Sequence, residues 1–252
     1  MQLILAWQNA QNRKWYPVAR VGYDEQSKEY WLRYTEGINH PEVQQDAYVP
    51  GMANIAYEYR SGTLFAFLQN RVYNKQRADF HSYLRWLGTT ESTIDPLYEL
   101  AITGGHKVTD RYCLYPVPEP QNNMYYVSFH IHGQRYMSLS QGELEKLAEG
   151  SRLYLQHDLQ NTDDSLALSI RSENPTAILG YVPRLMNEDV HELMRLNGPE
   201  NVHARLEAKN STPMLPVRLR CSVTCPWPAG FSPYNKHEFT AVETSLLAAV
   251  VA

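Results

Sequence analysis

Residues 129–136 read FHIHGQRY, residues 157–164 read HDLQNTDD and residues 180–184 read GYVPR, and these three stretches decide the fold of the second half of the chain. Apolar residues alternate with polar ones before the second stretch (Leu153, Leu155) and after it (Leu168, Ile170). This period of two predicts half-buried strands on both sides of a polar loop. The loop carries more carboxylates, amides and imidazoles than a connection between strands needs, so we predict that it is functional.

Composition limits the class of protein. At 252 residues the chain can form one large domain or two ordinary ones, and 43% hydrophobic with 20% charged residues is typical of a soluble globular protein. The 18 Tyr against 6 Phe favour half-exposed sheet faces and stacking surfaces. The net charge of −4 gives no sign of a protein attracted to nucleic acid by charge alone.

Cysteine usage and the two ends of the chain bear on location. Three cysteines without a secretory signal point to a reducing cytoplasm, where they stay free. The apolar residues 246–252 are too few to cross a bilayer. We therefore expect a cytoplasmic protein with no membrane partner, and we predict no cofactor.

The first part of the chain, residues 1–120, predicts a mixed β/α domain. Runs rich in Trp, Tyr and Val predict strands, and helical periodicity with caps predicts helices. The predicted strands are 2–7, 15–23, 30–35 and 111–117, and the predicted helices are 64–72, 77–87 and 96–103. A proline-containing segment, PVPEPQNN at 116–123, predicts a semi-rigid linker and a domain boundary.

The second part, residues 124–240, predicts a small antiparallel β-barrel with one or two short helices. About six alternating segments are present, the last two at 202–208 and 217–223. Ser140 and Glu143 have the spacing of a capping box, and residues 187–197 read as an amphipathic helix. Residues 241–252 form an apolar tail. The predicted fold class is thus α+β.

Two pairs of residues could bind metal but have simpler interpretations. His130 and His132 share one face of a strand, yet no third ligand stands at a recognisable spacing, which favours surface or pocket histidines. Cys221 and Cys225 lie on the apolar face of their strand, which favours buried free thiols.

The acidic loop allows a third kind of site. Asp158, Asp163 and Asp164 could hold a divalent cation, although their spacing is not that of a calcium loop. Capping of turns by Asp is an equally good interpretation.

Paired arginine and tyrosine residues favour nucleic acid. Arg135 with Tyr136, and Tyr181 with Arg184, offer guanidinium groups for phosphate and rings for base stacking, as a single-strand binder requires. Acidic residues slightly outnumber basic ones from 124 to 240. This balance favours recognition of a strand end or a few nucleotides over a long phosphate backbone.

In combination, the three opening stretches and the sequence RCSVTCPWPAGF at 220–231 resemble a HIRAN domain. The resemblance implies an OB-like β-barrel of the kind that occurs fused to fork-remodelling helicases and alone in bacteria. It also implies binding to the 3′ end of single-stranded DNA.

Carried over by position, the resemblance assigns roles to individual residues. Arg135 would contact a phosphate, Tyr136 would stack on the terminal base and Asp164 would accept a hydrogen bond from the 3′-hydroxyl. Tyr181 and Arg184 would make further backbone contacts. The complete predicted DNA-binding set is Arg135, Tyr136, Asn161, Asp164, Tyr181 and Arg184.

The chain departs from the family at two positions in the loop. Asp163 stands where the family has an aromatic residue, and Leu166 stands where an asparagine is expected. Adjacent carboxylates at 163 and 164 repel phosphate.

Residues 1–120 are similar to the region that often precedes HIRAN in bacteria and, more weakly, to the small N-terminal subdomain of HipA-type toxins. The kinase core of those toxins has no counterpart here. Three functions follow. The first is a non-enzymatic DNA-binding protein that recognises single-stranded DNA or 3′ ends in replication, repair or phage defence. The second is a protein-interaction or antitoxin-like subunit, and the third is a metal-dependent nuclease.

Overall fold

The computed structural model describes residues 1–210, 219–243 and 246–250. These residues form a mixed α+β structure of two sheets with short helices, which confirms the predicted class. The strands are β1 (Gln2–Gln8), β2 (Trp15–Asp24), β3 (Glu29–Tyr34), β4 (Tyr57–Ser61), β5 (Tyr112–Val117), β6 (Met124–His130), β7 (Arg152–His157), β8 (Leu168–Ser172), β9 (Ala177–Tyr181), β10 (His203–Lys209), β11 (Leu219–Pro226) and β12 (Leu246–Val250). The α-helices are α1 (Ala66–Gln69), α2 (Phe80–Leu87), α3 (Pro96–Thr103), α4 (Gln141–Lys146) and α5 (Asn187–Asn197).

The chain forms two compact units. The first unit consists of Met1–Phe80, Glu91–Val117 and Tyr234–Ala252. The second unit consists of His81–Thr90 and Pro118–Pro233. Each unit contains one of the two sheets.

The first unit is built on a sheet with the strand order β12-β4-β3-β2-β1-β5. Its neighbouring strands are antiparallel, except that β12 runs parallel to β4. Strand β1 has five consecutive buried residues, as expected for a central strand that is covered on both faces. One face of the sheet carries a continuous apolar core that includes Leu5, Val21, Leu32 and Tyr34.

Helix α3 packs beside this sheet and has the predicted ends. The Asp95 side chain caps the helix by accepting a hydrogen bond from the Leu97 amide at 2.9 Å, and Pro96 occupies the first turn. Gly104 ends the helix with φ 71°, a left-handed conformation that glycine adopts without a Cβ clash. Cap and terminator together fix a helix of only eight residues.

The second unit contains an antiparallel sheet with the strand order β6-β11-β10-β7-β8-β9. Just beyond β6, His132 exchanges two backbone hydrogen bonds of 2.9 Å with Tyr181 at the end of β9. The two edges of the sheet therefore meet. Among the described residues of this unit the edges join at this bridge alone, so the sheet curls in an OB-like manner without a closed ladder.

Two further predictions for the second unit are confirmed. Ser140 and Glu143 form a reciprocal capping box at the start of α4. Cys221 and Cys225 are buried free thiols, and burial raises the pKa of Cys225 to about 11. Buried thiols with such a pKa are unreactive at neutral pH.

Some elements differ from the prediction. Strand β4 was not predicted. The helices predicted at 64–72 and 77–87 are shorter in the structure, where they correspond to α1 and α2. Part of the predicted tail pairs with β4 as β12. Positions 217 and 218 of the last predicted strand, and 244, 245, 251 and 252 of the tail, lie outside the described residues. No helix in the described part of the chain is both long and apolar enough to cross a membrane.

Candidate nucleic-acid interface

The candidate interface of the second unit is organised around Tyr181, the last residue of β9. The bridge to His132 fixes the backbone of Tyr181. Gly133, the residue after His132, has φ 71°. A Cβ built on Gly133 would lie 3.2 Å from Cδ2 of the Tyr181 ring. Glycine therefore lets the chain turn left-handed while it passes close to the ring. This turn leads directly into the short 3₁₀ helix Gln134–Tyr136.

Arg135 and Tyr136 form a pair on that 3₁₀ turn. The Arg135 guanidinium lies 4.7 Å from the centroid of the Tyr136 ring, and its Nη2 donates a hydrogen bond of 2.5 Å to the Tyr136 hydroxyl. The Tyr136 side chain is 63% exposed. Gln134 anchors the turn by donating from Nε2 to the Ile131 carbonyl at 2.6 Å. A cationic group and an aromatic ring are thus presented together at the surface, as base stacking with a phosphate contact requires.

The Tyr181 side chain also holds the acidic loop. Its hydroxyl donates to Oδ2 of Asp158 at 2.9 Å. Burial, followed by this hydrogen bond, raises the pKa of Tyr181 above its ordinary value. The phenol therefore remains a donor at neutral pH, and the bond ties the end of β9 to the start of the loop.

Asn161 shapes the loop from within. Its Oδ1 accepts hydrogen bonds from the amides of Asp163 at 3.1 Å and Asp164 at 3.0 Å, while its own amide donates to the Asp158 carbonyl. This is an Asx turn, in which a side chain replaces backbone pairing. Asn161 was predicted as a DNA contact, and here its oxygen sets the direction of the two carboxylates that follow.

Asp164 is held in one orientation by three groups. Oδ1 accepts from the Leu166 amide at 3.0 Å, and Oδ2 accepts from Nδ2 of Asn187 at 2.8 Å. Oδ2 also lies 3.6 Å from Nε of Arg184. A carboxylate can accept about four hydrogen bonds, so this set leaves room for one further donor on Asp164.

Arg184 turns toward the loop. Its Nη2 donates to the carbonyl of Asp163 at 2.6 Å, in addition to the ion pair with Asp164. The Arg184 side chain remains 32% exposed. It therefore compensates part of the acidic charge of the loop and has limited freedom to contact a phosphate.

Two histidines fasten the far side of the loop. Nε2 of His157 lies 2.8 Å from the Ser165 carbonyl, and Nε2 of His191 lies 3.1 Å from the Leu166 carbonyl. The two rings pack edge to face with centroids 4.7 Å apart. With Tyr181 on one side and these rings on the other, the loop is preorganised.

The structure connects the predicted residues in two groups that share Tyr181. Asn161, Asp164 and Arg184 belong to the loop network, whereas Arg135 and Tyr136 belong to the turn that follows Gly133. The partners Asp158 and Asn187 are absent from the predicted DNA-binding set. The Asx spacing of Asp158 was visible in the sequence, but the contact of Asn187 across α5 had no local signal.

The residues considered for metal binding are arranged differently. The rings of His130 and His132 are close, with centroids 4.4 Å apart, as their shared face predicts. Asp158, Asp163 and Asp164 do not bring three ligand atoms within 4.8 Å of one another in the described part of the chain. The carboxylates of Asp158 and Asp164 instead have distinct partners, Tyr181 for the first and Asn187 for the second.

A curled six-stranded antiparallel sheet with a preorganised polar loop defines this unit as an OB-like binding module. Residues 124–226 match the HIRAN domain family, and this part of the chain is a HIRAN domain. Two solved structures are similar to it. One is a protein from Lactobacillus plantarum, with 21% identity, a TM-score of 0.31 and coverage of 40% of this chain and 98% of that one. The other is the HIRAN domain of human HLTF, with 14% identity, a TM-score of 0.32 and coverage of 42% and 80%. No curated protein matches the chain.

Proposed function

We propose that the chain is a non-enzymatic DNA-binding protein whose HIRAN domain recognises the 3′ end of single-stranded DNA, in replication, repair or phage defence. The observation that carries this proposal is the paired Arg135 and Tyr136 on a turn that packs against the same Tyr181 that anchors the acidic loop. A stacking ring, a guanidinium and an oriented carboxylate are thereby linked through one residue.

Each group has a distinct task in this proposal. The exposed Tyr136 ring stacks on the terminal base, and Arg135 exchanges its hydrogen bond with the Tyr136 hydroxyl for a phosphate oxygen. Asp164 uses its remaining acceptor capacity for the 3′-hydroxyl, because Asn187 and Leu166 already hold it in place. A hydroxyl that donates to a charged acceptor contributes about 1.5–3 kcal/mol.

The charge of the loop limits how much DNA is bound. Asp163 is exposed and Arg184 is engaged with the loop, so few cations are available for phosphate. For single strands, the logarithm of the binding constant falls with the logarithm of the salt concentration, with a slope of about −0.7 for each phosphate contacted. Two contacts give a slope of about −1.4, far below that of a protein that follows a long backbone.

Substitution of the paired residues tests the proposal. Arg135→Ala and Tyr136→Ala should each weaken binding to a short single-stranded oligonucleotide by about tenfold or more in fluorescence anisotropy, since each removes about 1–3 kcal/mol. Arg171 and Tyr154 supply a matched control in the same unit, because that guanidinium also lies over a tyrosine ring, at 4.9 Å. Equal losses from Arg171→Ala and Arg135→Ala would refute a specific site.

We further propose that residues 1–120 contribute an N-terminal domain that contacts a protein partner, and that residues 124–240 contain the DNA-binding domain. If titrations show no DNA binding and a pull-down yields one stoichiometric protein, the chain is instead a protein-interaction subunit that does not bind DNA.

A further inference from the structure

A cavity of about 720 Å³ lies on the polar face of the sheet in the first unit. Its walls come from β1, β2, β3 and β4, from Glu25 just after β2, and from residues 240 and 241. The face opposite carries the apolar core, so this side of the sheet would be expected to bear scattered charges. Instead it presents three arginines and a tryptophan together: Arg20, Arg33, Arg60 and Trp31.

Trp31 forms the floor of the cavity because its neighbour across the strand is glycine. Gly22 pairs directly with Trp31, and a Cβ built on Gly22 would lie 2.4 to 2.8 Å from three atoms of the indole. The indole therefore lies close against Gly22 of β2, where any larger residue would displace it. The Arg33 guanidinium lies 5.7 Å from the centroid of this indole, so a planar ligand would stack beside that guanidinium or in its place.

Arg20 on β2 also pairs directly with Arg33 on β3, two residues along the strand from Trp31. Like charges in opposed positions are destabilising unless something compensates them. Glu58, the neighbour of Arg33 on β4, accepts from Arg33 and also from Arg60. One carboxylate thus serves two arginines, and Arg60 gains weaker contacts to Asp24 and Glu29, at 3.5 Å each.

Arg20 has no such compensation. Its Nε donates to the Phe239 carbonyl at 3.0 Å, and among the described residues it forms no ion pair. Burial lowers the pKa of its guanidinium, which marks a partly desolvated charge. Because Glu58 already pairs with Arg33, the uncompensated charge is that of Arg20, and an anion placed beside Arg20 would offset its desolvation.

Residues in alternate positions on a strand are about 7 Å apart. This is the spacing between the Trp31 row and the Arg20–Arg33 row. Asp24 and Glu25 line another part of the cavity, where their carboxylates can accept hydrogen bonds from amino groups. A ligand that matches these features has a planar ring bearing an amino group and an anionic group at the other end.

We propose that this cavity binds a nucleoside monophosphate, either free or as the 5′-terminal nucleotide of a DNA strand. The base stacks on Trp31 and the phosphate contacts Arg20 and Arg33. The site consists of residues of the first unit and does not depend on the function of the HIRAN domain.

Calorimetric titration of the full chain with AMP, adenosine and inorganic phosphate tests this proposal. AMP should bind about tenfold or more tightly than adenosine or phosphate alone, because both halves of the site are used. Arg20→Met should weaken AMP binding by about tenfold and leave adenosine within about twofold. Trp31→Leu should weaken the binding of both AMP and adenosine. Trp31→Phe keeps a ring and should retain part of the binding, so it serves as the test if the leucine variant fails to fold.

Lys14→Gln is the matched control, since it removes an exposed positive charge from the same unit and should leave AMP binding within about twofold. Absence of AMP binding at about 10 mM, or equal loss in Arg20→Met and Lys14→Gln, would overturn the proposal.

Oligonucleotides with and without a 5′-phosphate distinguish the two sources, measured in an Arg135→Ala/Tyr136→Ala background that lacks the proposed 3′-end site. Tighter binding of the 5′-phosphorylated strand than of AMP supports a strand terminus, and tighter binding of AMP supports a free nucleotide. Loss of 3′-end binding without loss of AMP binding separates the two proposals.

Discussion

Asp163 is the residue whose replacement should most change DNA binding by the HIRAN domain. Its side chain is exposed, whereas its amide bonds Asn161 and its carbonyl accepts from Arg184. Both hydrogen bonds of Asp163 use its backbone atoms, so a substitution of its side chain preserves them. The HIRAN resemblance places an aromatic residue here, and we predict that Asp163→Tyr strengthens binding to single-stranded DNA.

The magnitude follows from two contributions. Removing the carboxylate relieves repulsion of about 0.5 kcal/mol from a phosphate about 8 Å away in water. A ring that stacks on a base adds about 1–3 kcal/mol. The total of about 1.5–3.5 kcal/mol corresponds to an affinity gain of about 10-fold to 300-fold.

Asp163→Asn separates the two contributions because it removes the charge without adding a ring. Fluorescence anisotropy at low salt should show about a twofold gain for Asp163→Asn and the larger gain for Asp163→Tyr. Unfolding by denaturant should show the same stability for all three proteins. If neither variant binds more tightly while both remain folded, the loop does not face the DNA and the reasoning fails.

Three further predictions concern the stability of the fold. Gly133→Ala should lower the free energy of unfolding by about 1–2 kcal/mol in guanidinium titrations, since it forces a Cβ into a left-handed position against Tyr181. Asp95→Ala should cost about 1 kcal/mol in the same assay through loss of the helix cap, and Asp95→Asn should retain most of it. Burial raises the pKa of Cys113 to about 12 and that of Cys225 to about 11. These thiols ionise near pH 9 in the unfolded chain, so the free energy of unfolding should be constant below pH 9. Above pH 9, each thiol should lower it by about 1.4 kcal/mol for every pH unit. A flat profile between pH 9 and 11 would contradict the burial of these thiols.

Much of the sheet structure was predictable because it depends on local patterns. Period-two alternation identified the strands around the loop, and the Ser140–Glu143 spacing identified the capping box before α4. Strand β4 was missed because it has only five residues, YEYRS, although tyrosine alternates with charged residues along it. The pairing of β12 with β4 joins residues far apart in sequence, which no local pattern reveals.

The chemistry of the site was less predictable, because it depends on partners distant in the chain. The residue types at 135 and 136 suggested phosphate contact and stacking, and the HIRAN resemblance suggested the role of Asp164. Asn187 reaches Asp164 only through the packing of α5. Arg184 was predicted to contact DNA, and its position beside the Asp163 carbonyl became visible only in the folded loop. Asn161 has the spacing of an Asx turn, and its local bonds could have been foreseen.

We propose that this HIRAN domain recognises a 3′-hydroxyl, and an anisotropy titration with two single-stranded oligonucleotides that differ only at the 3′ terminus tests this directly. We predict that a 3′-phosphate weakens binding by about 10-fold to 150-fold relative to a 3′-hydroxyl, because it removes a donor to Asp164 worth about 1.5–3 kcal/mol. Asp164→Asn should reduce this difference, since the neutral amide accepts a weaker hydrogen bond. Equal affinity for the two oligonucleotides would contradict the account.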